Sequence, residues 1–307
     1  MNNVLITGGS GMVGNAVKNI LPDAIYVSSK DYNLLKEDQV ENMFNTYRPE
    51  YVIHLAARVG GVKANHDNLG SFFIENCRMN VNVLDAAHRH NVKKMLSLLS
   101  TCVYPAKATY PLTEEQINNG EPHHTNFAYA YAKRMLDVQS RAYRKQYGCN
   151  FITAIPNNLF GEYDYFDLED SHVIPAIIRK IYEAKNFNKN PVFWGDGVAL
   201  REFTYSKDLA RILLFLLENY DDENPINVGC TIEYSILEIV DLVAEIFDYK
   251  GAIQWDKNKP SGQYRKPSSN RKLLNLGWRN DHYTEFKIAL HETCKWFEKN
   301  YPKVRGC

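Results

Sequence analysis

A tyrosine and a lysine four residues apart, Tyr129 and Lys133, form the pattern in this sequence with the clearest chemical potential. In an α-helix, this spacing places both side chains on one face. A nearby ammonium group favours tyrosinate and lowers a tyrosine pKa from about 10 toward neutrality. Ser100 follows an apolar run at residues 95–99, and its hydroxyl can help to polarise a carbonyl group. Together these residues predict a proton-transfer site.

A glycine-rich segment with the spacing G-x-x-G-x-x-G follows the apolar run at residues 4–6 and precedes a predicted helix at residues 12–21. Glycine permits a tight turn and lets the backbone approach a pyrophosphate, while the helix N-terminus provides free N–H groups. The strand, turn and helix are the context that a dinucleotide-binding loop requires. The sequence therefore predicts that a dinucleotide contacts Gly8, Gly11, Met12, Val13 and Gly14.

The end of the second predicted strand, residues 24–27, indicates which dinucleotide binds. Rossmann domains that take NAD usually place an acidic residue there, for the ribose 2′-hydroxyl. Here the strand is followed by Ser28, Ser29 and Lys30, and Asp31 comes four residues after Val27. Two hydroxyls and a lysine suit a 2′-phosphate better, so we predict NADP(H), the alternative being that Lys30 is only a solvated turn residue.

Strand and helix patterns alternate through the first half of the chain. Further strands are predicted at residues 51–55, 95–99 and 151–155, with helices between them and one at residues 129–147. Such alternation predicts an α/β fold, a doubly wound parallel sheet of the Rossmann type. Helical patterns dominate later, at 172–184, 209–218, 237–247 and 286–300. We predict an NADP-binding domain at 1–160 and a smaller, mainly helical substrate-binding region at 161–307, with the chain crossing between them.

The overall composition excludes several classes of function. Lys plus Arg and Asp plus Glu number 36 each, which argues against a nucleic-acid-binding surface. The six cysteines form no C-x-x-C pair, so neither a metal site nor a disulfide framework is expected. We find neither an apolar run of the ~18 residues that a membrane helix needs nor a secretory leader pattern. A cytoplasmic enzyme without membrane association is the expectation.

Several longer segments resemble the GDP-L-fucose synthase family, within the extended short-chain dehydrogenase/reductase superfamily. The resemblance runs nearly end to end and adds to the glycine loop, Ser100, Tyr129 and Lys133. The segments that carry it are residues 55–61, 100–105, 171–175, 192–197, 259–263 and 292–297.

The resemblance implies an NADPH-dependent enzyme that epimerises a GDP-4-keto-6-deoxy sugar at C3 and C5 and then reduces C4. It implies that Cys102 is the base and His172 the acid of the epimerisation. In the reduction, Tyr129 protonates the C4 oxygen, Ser100 hydrogen-bonds that oxygen, and Lys133 steadies Tyr129 and contacts the nicotinamide ribose. Ala56 is also implied to contact the cofactor, and the implied GDP-binding residues are Asn158, Lys180, Trp194, Arg201 and Lys266.

The family also implies a homodimer that pairs two long helices of each subunit. Apolar faces at Val81, Leu84 and His88 and at Leu136, Ser140 and Tyr143 are the candidates, unless they simply cover their own sheet. Lys180 stands where some members carry arginine, which puts a bidentate phosphate contact in doubt.

One segment departs from the family pattern. Residues 162–166 read Glu-Tyr-Asp-Tyr-Phe, where members typically have Pro-His-Asp-Asn-Phe, and we expect the added bulk to reshape the sugar pocket. A first alternative is therefore a C4 reductase that acts on a related GDP-4-keto sugar such as a heptose. A second is an NAD-dependent sugar-nucleotide 4-epimerase or 4,6-dehydratase, and a remote one is a non-catalytic NADP-sensing regulator.

Overall fold

A computed structural model describes residues 2–258 and 264–307, so the predicted family segment at residues 259–263 lies outside the described residues. The strands are β1 (Val4–Thr7), β2 (Ile25–Val27), β3 (Tyr51–His54), β4 (Lys94–Leu98), β5 (Phe151–Pro156), β6 (Asn158–Phe160), β7 (Val192–Trp194), β8 (Leu200–Tyr205), β9 (Ile226–Val228), β10 (Glu233–Ser235) and β11 (Gln254–Asp256). The α-helices are α1 (Met12–Lys18), α2 (Glu37–Tyr47), α3 (Val62–Asp67), α4 (Leu69–Arg89), α5 (Phe127–Tyr147), α6 (Val173–Phe187), α7 (Ser206–Asn219), α8 (Ile236–Ile246), α9 (Arg271–Asn275) and α10 (Phe286–Asn300).

The main sheet is fully parallel, with the strand order β2-β1-β3-β4-β5-β9. This confirms the predicted α/β class. The strand order reverses direction at β1, because β2 lies on one side of β1 and β3 lies on the other. In such sheets ligands bind outside the carboxyl ends of the strands. The sixth strand, β9, comes from residues 226–228, far beyond the boundary predicted at residue 160.

Strand register sorts the buried side chains onto two faces of the sheet. Leu5, Val52 and Met95 are aligned across neighbouring strands and pack against α2, α4 and α5. Their neighbours in sequence, Ile6 and Ile53, face the opposite side and pack against α1 and α7. Since side chains alternate along a strand, short continuous apolar runs fill both faces at once.

The C-terminal part contains more strand than the sequence pattern predicts. A three-stranded sheet of order β10-β8-β6 and a two-stranded sheet of β11 and β7 lie beside α6, α8 and α10. Four of these five strands have only three residues each, too few to display an alternating pattern. The helix at Phe286–Asn300 has the predicted bounds. In the described ranges, no helix combines the length and apolarity required to cross a bilayer.

Buried Asn227 connects β9 by hydrogen bonds to three other segments of the chain. Its side-chain amide donates to the backbone oxygens of Leu112 (3.0 Å) and Ser269 (3.1 Å). The hydroxyl of Tyr104 donates to its Oδ1 at 2.6 Å. A single side chain therefore satisfies three buried polar groups from three separate segments.

Replacing this residue, Asn227→Val, leaves those three groups without their partner. We expect the free energy of unfolding to fall by about 2–4 kcal/mol, because unsatisfied buried polar groups retain their desolvation cost. Urea unfolding followed by circular dichroism measures the change. The control is Asn224→Ala, since Asn224 is exposed and its side-chain amide binds only the nearby Asp222 carboxylate. Similar losses in both variants would contradict the role assigned to Asn227.

Candidate active site

The glycine loop between β1 and α1 brings three backbone segments into close contact. A Cβ atom at Gly8, where φ is +74°, would lie 2.8 Å from the Ala56 nitrogen. A Cβ atom at Gly14 would lie 2.6 Å from the Gly8 oxygen. Glycine is therefore required at both positions for steric reasons. The resulting bare backbone beside the first turn of α1, where helix N–H groups lack intrahelical acceptors, fits a dinucleotide pyrophosphate.

An acidic residue, Asp31, lies near the end of β2, although its spacing from Val27 in the sequence did not suggest this. The carboxylate of Asp31 folds back and accepts hydrogen bonds from the backbone N–H (2.8 Å) and hydroxyl (2.7 Å) of Ser28. These two bonds hold the pKa of Asp31 below its usual range. Ser29 and Lys30 are exposed beside this turn. Ser28, Ser29 and Lys30 thus occupy the predicted adenosine-ribose end, but together with a carboxylate.

Lys133 and Tyr129 occupy one face of α5, as their spacing predicts. The Lys133 ammonium is buried and donates to the Leu98 carbonyl oxygen at 2.7 Å, at the carboxyl end of β4. Its nitrogen lies 5.8 Å from the centre of the Tyr129 ring, whose edge contacts Phe72. Burial lowers the pKa of Lys133 to about 8. The ammonium group therefore lies near the tyrosine ring, and its pKa is close to neutral pH.

The pKa of Tyr129 differs from the expectation. Burial and the neighbouring Cys102 sulfur raise it above its usual value, although Lys133 lies on the same helix face. Removing water disfavours the phenolate, and the Cys102 sulfur adds to this effect. In the ligand-free protein, Tyr129 is consequently a neutral proton donor, which is the form that a reduction step needs.

Ser100 and Cys102 lie in a short turn directly after β4. The Cys102 backbone N–H points at the Ser100 hydroxyl oxygen, 3.4 Å away. Burial raises the pKa of the Cys102 thiol, while the Ser100 hydroxyl, Lys266 and Lys133 act in the opposite direction. Desolvation therefore outweighs the effect of the two cations on the pKa of this thiol.

His172 immediately precedes α6, and its side chain is exposed. Desolvation by the surrounding protein lowers its pKa, which favours the neutral imidazole.

The predicted GDP-binding residues form one pair near Cys102 and a second group at β7, and Asn158 lies apart from both on β6. Lys266 and Arg201 lie near each other, since the charge of Arg201 contributes to lowering the pKa of Lys266. Lys266 donates to the Thr101 oxygen at 2.9 Å, which places its charge beside Cys102. The second group lies at β7: Lys180 donates to the Val192 oxygen at 2.8 Å, and the Trp194 side chain is 51% exposed. Exposed Asn158, on β6, donates to the Glu202 oxygen at 2.8 Å.

The segment that departs from the family pattern interacts mainly with the C-terminal helix. The Tyr205 hydroxyl oxygen lies 2.9 and 2.8 Å from the two carboxylate oxygens of Glu162 and 2.8 Å from Glu292 Oε2 of α10, so its single proton is shared between these acidic groups. The Tyr163 ring centre lies 4.7 Å from that of Trp296, also in α10. Tyr163 therefore has a structural partner on α10, whereas Glu162 shares the Tyr205 hydroxyl with that helix, an arrangement that sequence spacing could not show.

A buried polar chain that the sequence pattern does not reveal connects β1 to the helix carrying Lys133. Thr7 and His54 are hydrogen-bonded at 2.8 Å, His54 and Asn80 at 3.1 Å, and the Asn80 amide donates to the Ala132 oxygen at 3.4 Å. Burial lowers the pKa of His54 to about 4, so its ring is neutral. A neutral ring can accept from Thr7 and donate to Asn80. The chain thus links the glycine loop to the residue preceding Lys133.

A parallel sheet with a glycine loop at its carboxyl end, and a serine, tyrosine and lysine beside that loop, defines a dinucleotide-dependent enzyme of the short-chain dehydrogenase type. Residues 4–229 match the NAD dependent epimerase/dehydratase family, and the chain belongs to that family.

Individual relatives match over nearly the whole chain. A GDP-L-fucose synthase from Dictyostelium discoideum is 41% identical over 98% of this chain and 97% of its own length. The crystal structure of a GDP-L-fucose synthetase from Naegleria fowleri bound to NADP is 41% identical, with a TM-score of 0.92, over 98% of this chain and 95% of that one. A GDP-mannoheptose C4 reductase from Campylobacter jejuni with NADP bound is 28% identical, with a TM-score of 0.85, over 96% and 98% of the two chains.

The close backbone contact at Gly14 gives a direct test of the glycine loop. In Gly14→Ala, the new methyl group meets the Gly8 oxygen and must push the loop apart. We expect the dissociation constant for NADPH to rise at least tenfold, as measured by fluorescence titration or calorimetry. Gly70→Ala is the matched control, since a Cβ atom there meets nothing within 4 Å. Unchanged affinity in Gly14→Ala would contradict the assignment of this loop to the pyrophosphate.

Proposed function

We propose that this enzyme converts GDP-4-keto-6-deoxymannose to GDP-L-fucose with NADPH, by epimerisation at C3 and C5 followed by reduction at C4. The observation that carries the proposal is the group of Ser100, Cys102, Tyr129, Lys133 and Lys266 around the carboxyl end of β4. Near full-length similarity to GDP-L-fucose synthases supports the same assignment.

The cofactor assignment rests on the glycine loop and on the solved relatives that hold NADP. Gly8, Gly11, Met12, Val13 and Gly14 bind the pyrophosphate, and Ala56 borders the loop. Ser28, Ser29 and Lys30 bind the 2′-phosphate end. When bound, NADPH supplies the hydride for C4. Lys133 contacts the nicotinamide ribose from its place on α5.

The epimerisation step needs two groups on opposite faces of the carbon next to the C4 ketone. The Cys102 thiolate removes the proton, and the electrons of the C–H bond move toward the carbonyl oxygen to give an enolate. His172 then returns a proton to the other face, inverting the centre. Lys266 favours the thiolate through its charge. Since the ligand-free protein favours both neutral forms, substrate binding must help to ionise this pair.

The reduction step uses the neutral state of Tyr129. Its hydroxyl donates a proton to the C4 oxygen as hydride reaches C4, and the nearby Lys133 ammonium stabilises the developing phenolate. Ser100 hydrogen-bonds the same oxygen. Arg201 and Lys266 bind the diphosphate, Lys180 adds a point charge, and Trp194 stacks on the base, with Asn158 at the edge of this site.

A second candidate function is C4 reduction of a related GDP-4-keto sugar without epimerisation. Two observations favour it: the likeness to a GDP-mannoheptose C4 reductase, and the neutral Cys102 and His172 of the ligand-free site. Both functions require the same reductase residues, so they differ in the sugar that is accepted and in the fate of its C3 and C5 protons.

The deciding experiment incubates the purified enzyme with GDP-4-keto-6-deoxymannose and NADPH in D2O. We expect NADPH oxidation, GDP-L-fucose as the product by NMR, and deuterium at C3 and C5. Cys102→Ala should lower deuterium incorporation at least 100-fold, since general acid–base groups typically contribute 10²–10⁴-fold. Tyr129→Phe should instead block NADPH oxidation while exchange continues.

The possible results separate the candidates. NADPH oxidation with protons retained at C3 and C5 would identify a C4 reductase. Tight NADPH binding without turnover of this sugar would contradict the proposed substrate. Loss of exchange in Tyr129→Phe, with normal NADPH oxidation, would reverse the roles assigned to the two residues.

We also propose a homodimer formed through α4 and α5. Of the predicted contact residues, Leu84, Leu136 and Ser140 are buried within the subunit, where they cover its own sheet. Exposed Val81 (43%) and Val138 (53%) are better candidates. The Gln139 amide reaches the Val81 oxygen at 3.5 Å, so both valines belong to one surface.

The free state of all six cysteines supports a reducing compartment, and we infer the cytoplasm.

The double substitution Val81→Glu and Val138→Glu tests the dimer. Like charges brought together at an apolar contact oppose association, so we expect a shift from dimer to monomer in analytical ultracentrifugation. Ile288→Glu serves as the control, since Ile288 is 50% exposed on α10, outside the proposed surface. A mass unaffected by the double substitution would exclude this surface.

A further inference from the structure

The backbone just before His172 rests directly on a glycine from the cofactor side of the molecule. The Gly61 N–H donates to the Asp170 oxygen at 2.8 Å. A Cβ atom at Gly61 would lie 2.7 Å from the Ser171 oxygen and 3.0 Å from the Asp170 oxygen. Real Cβ atoms do not approach backbone oxygens so closely, so only glycine permits this contact. It lies one residue away from His172.

Gly61 belongs to a loop that begins at the predicted cofactor contact, Ala56. Two asparagines hold this loop through the backbone. Asn76 accepts from the Arg58 N–H and donates to its oxygen, both at 3.0 Å. Asn65 donates to the oxygens of Gly60 (2.8 Å) and Gly61 (3.0 Å). The loop is thus fixed relative to the dinucleotide-binding sheet, and Gly61 transmits that position to residues 170–171.

The opposite end of the His172 segment is held by the C-terminus. The Phe166 N–H donates to the Arg305 oxygen at 2.8 Å. Arg179 donates to the oxygens of both Phe166 (3.1 Å) and Gly306 (2.6 Å). Gly306 has φ of +89°, and a Cβ atom there would lie 2.5 Å from the Asp167 nitrogen. A displacement at Gly61 therefore cannot be absorbed at the far end, and it moves His172 instead.

We propose that Gly61 is a positioning residue for His172, which sets the distance between the imidazole and the sugar carbon through the backbone of Asp170 and Ser171. The inference rests on the proposed epimerase function. It assigns a role to the Gly60-Gly61 segment that neither cofactor binding nor hydride transfer requires. It also predicts that epimerisation and reduction can be separated by a change at a residue that takes part in neither reaction.

The variant Gly61→Ala tests this contact alone. Gly61 has φ of −64° and ψ of −177°, which alanine also adopts, so backbone strain does not contribute. A misplacement of about 1 Å can cost about 100-fold in rate. We expect inverting exchange, in which C3 and C5 of GDP-4-keto-6-deoxymannose take up deuterium in D2O with inversion, to slow at least tenfold, because inversion needs the proton that His172 delivers. The dissociation constant for NADPH should stay within twofold, and Gly70→Ala, with open space around its Cβ, should match the unaltered enzyme in both measurements.

A second variant guards against a general folding defect. Gly306→Ala pushes the same segment from its other end, one residue from the chain terminus, and should also slow exchange more than it weakens NADPH binding. Normal exchange in Gly61→Ala would overturn the proposal. So would a parallel loss of exchange and NADPH affinity in both variants, because that result would indicate a general structural role.

The unaltered enzyme and His172→Ala separate failure of this inference from failure of the proposed function. Exchange that is present in the unaltered enzyme and abolished in His172→Ala supports the role of the imidazole, and Gly61→Ala then decides the positioning. An unaltered enzyme that binds NADPH but exchanges neither proton refutes the epimerase function, and this inference with it. Exchange that persists in His172→Ala overturns the inference while leaving the epimerase function intact.

Discussion

The hydrogen bond from the buried Lys133 ammonium to the Leu98 carbonyl, 2.7 Å long, is the contact on which the site depends. It joins the catalytic helix to the carboxyl end of a central strand, so Tyr129, Ser100 and Cys102 are held around one point. Burying an ammonium group is costly, and that cost lowers its pKa to about 8. Packing of α5 against the sheet, through residues such as Leu136, must offset that cost. The stability of the fold thereby keeps the Lys133 ammonium buried in spite of its desolvation cost.

Desolvation also explains why the ligand-free site is neutral. Tyr129 and Cys102 have raised pKa values, and His172 has a lowered one. A neutral tyrosine suits proton donation to a reduced carbonyl oxygen, whereas the thiol must ionise before it can act as a base. The two proposed half-reactions therefore place opposite demands on the ionisation of Tyr129 and Cys102. Lys266, which rests on the Thr101 oxygen, is positioned to favour the thiolate when substrate excludes the remaining water.

The sequence predicted those features whose physical cause is local. The glycine spacing, the i to i+4 pair on α5 and the helix at residues 286–300 follow from backbone sterics and helical periodicity. The three-residue strands β6, β7, β9, β10 and β11 were missed, because alternation cannot be recognised over such a length. The buried position of His54 and the contact between Gly61 and Ser171 depend on residues brought together by folding. The predicted lowering of the Tyr129 pKa was wrong for the same reason, since burial is a property of the fold and not of sequence neighbours.

The pH dependence of kcat/KM for NADPH oxidation tests the central role of the Lys133 ammonium, because this parameter reports the ionisations of the free enzyme. We predict an alkaline limb with an apparent pKa near 8, as Lys133 loses its proton and no longer stabilises the Tyr129 phenolate. Lys133→Arg should remove that limb in whatever activity remains, because arginine stays protonated throughout this range. A profile that stays flat well above pH 8 in the unaltered enzyme, or an unchanged limb in Lys133→Arg, would contradict it.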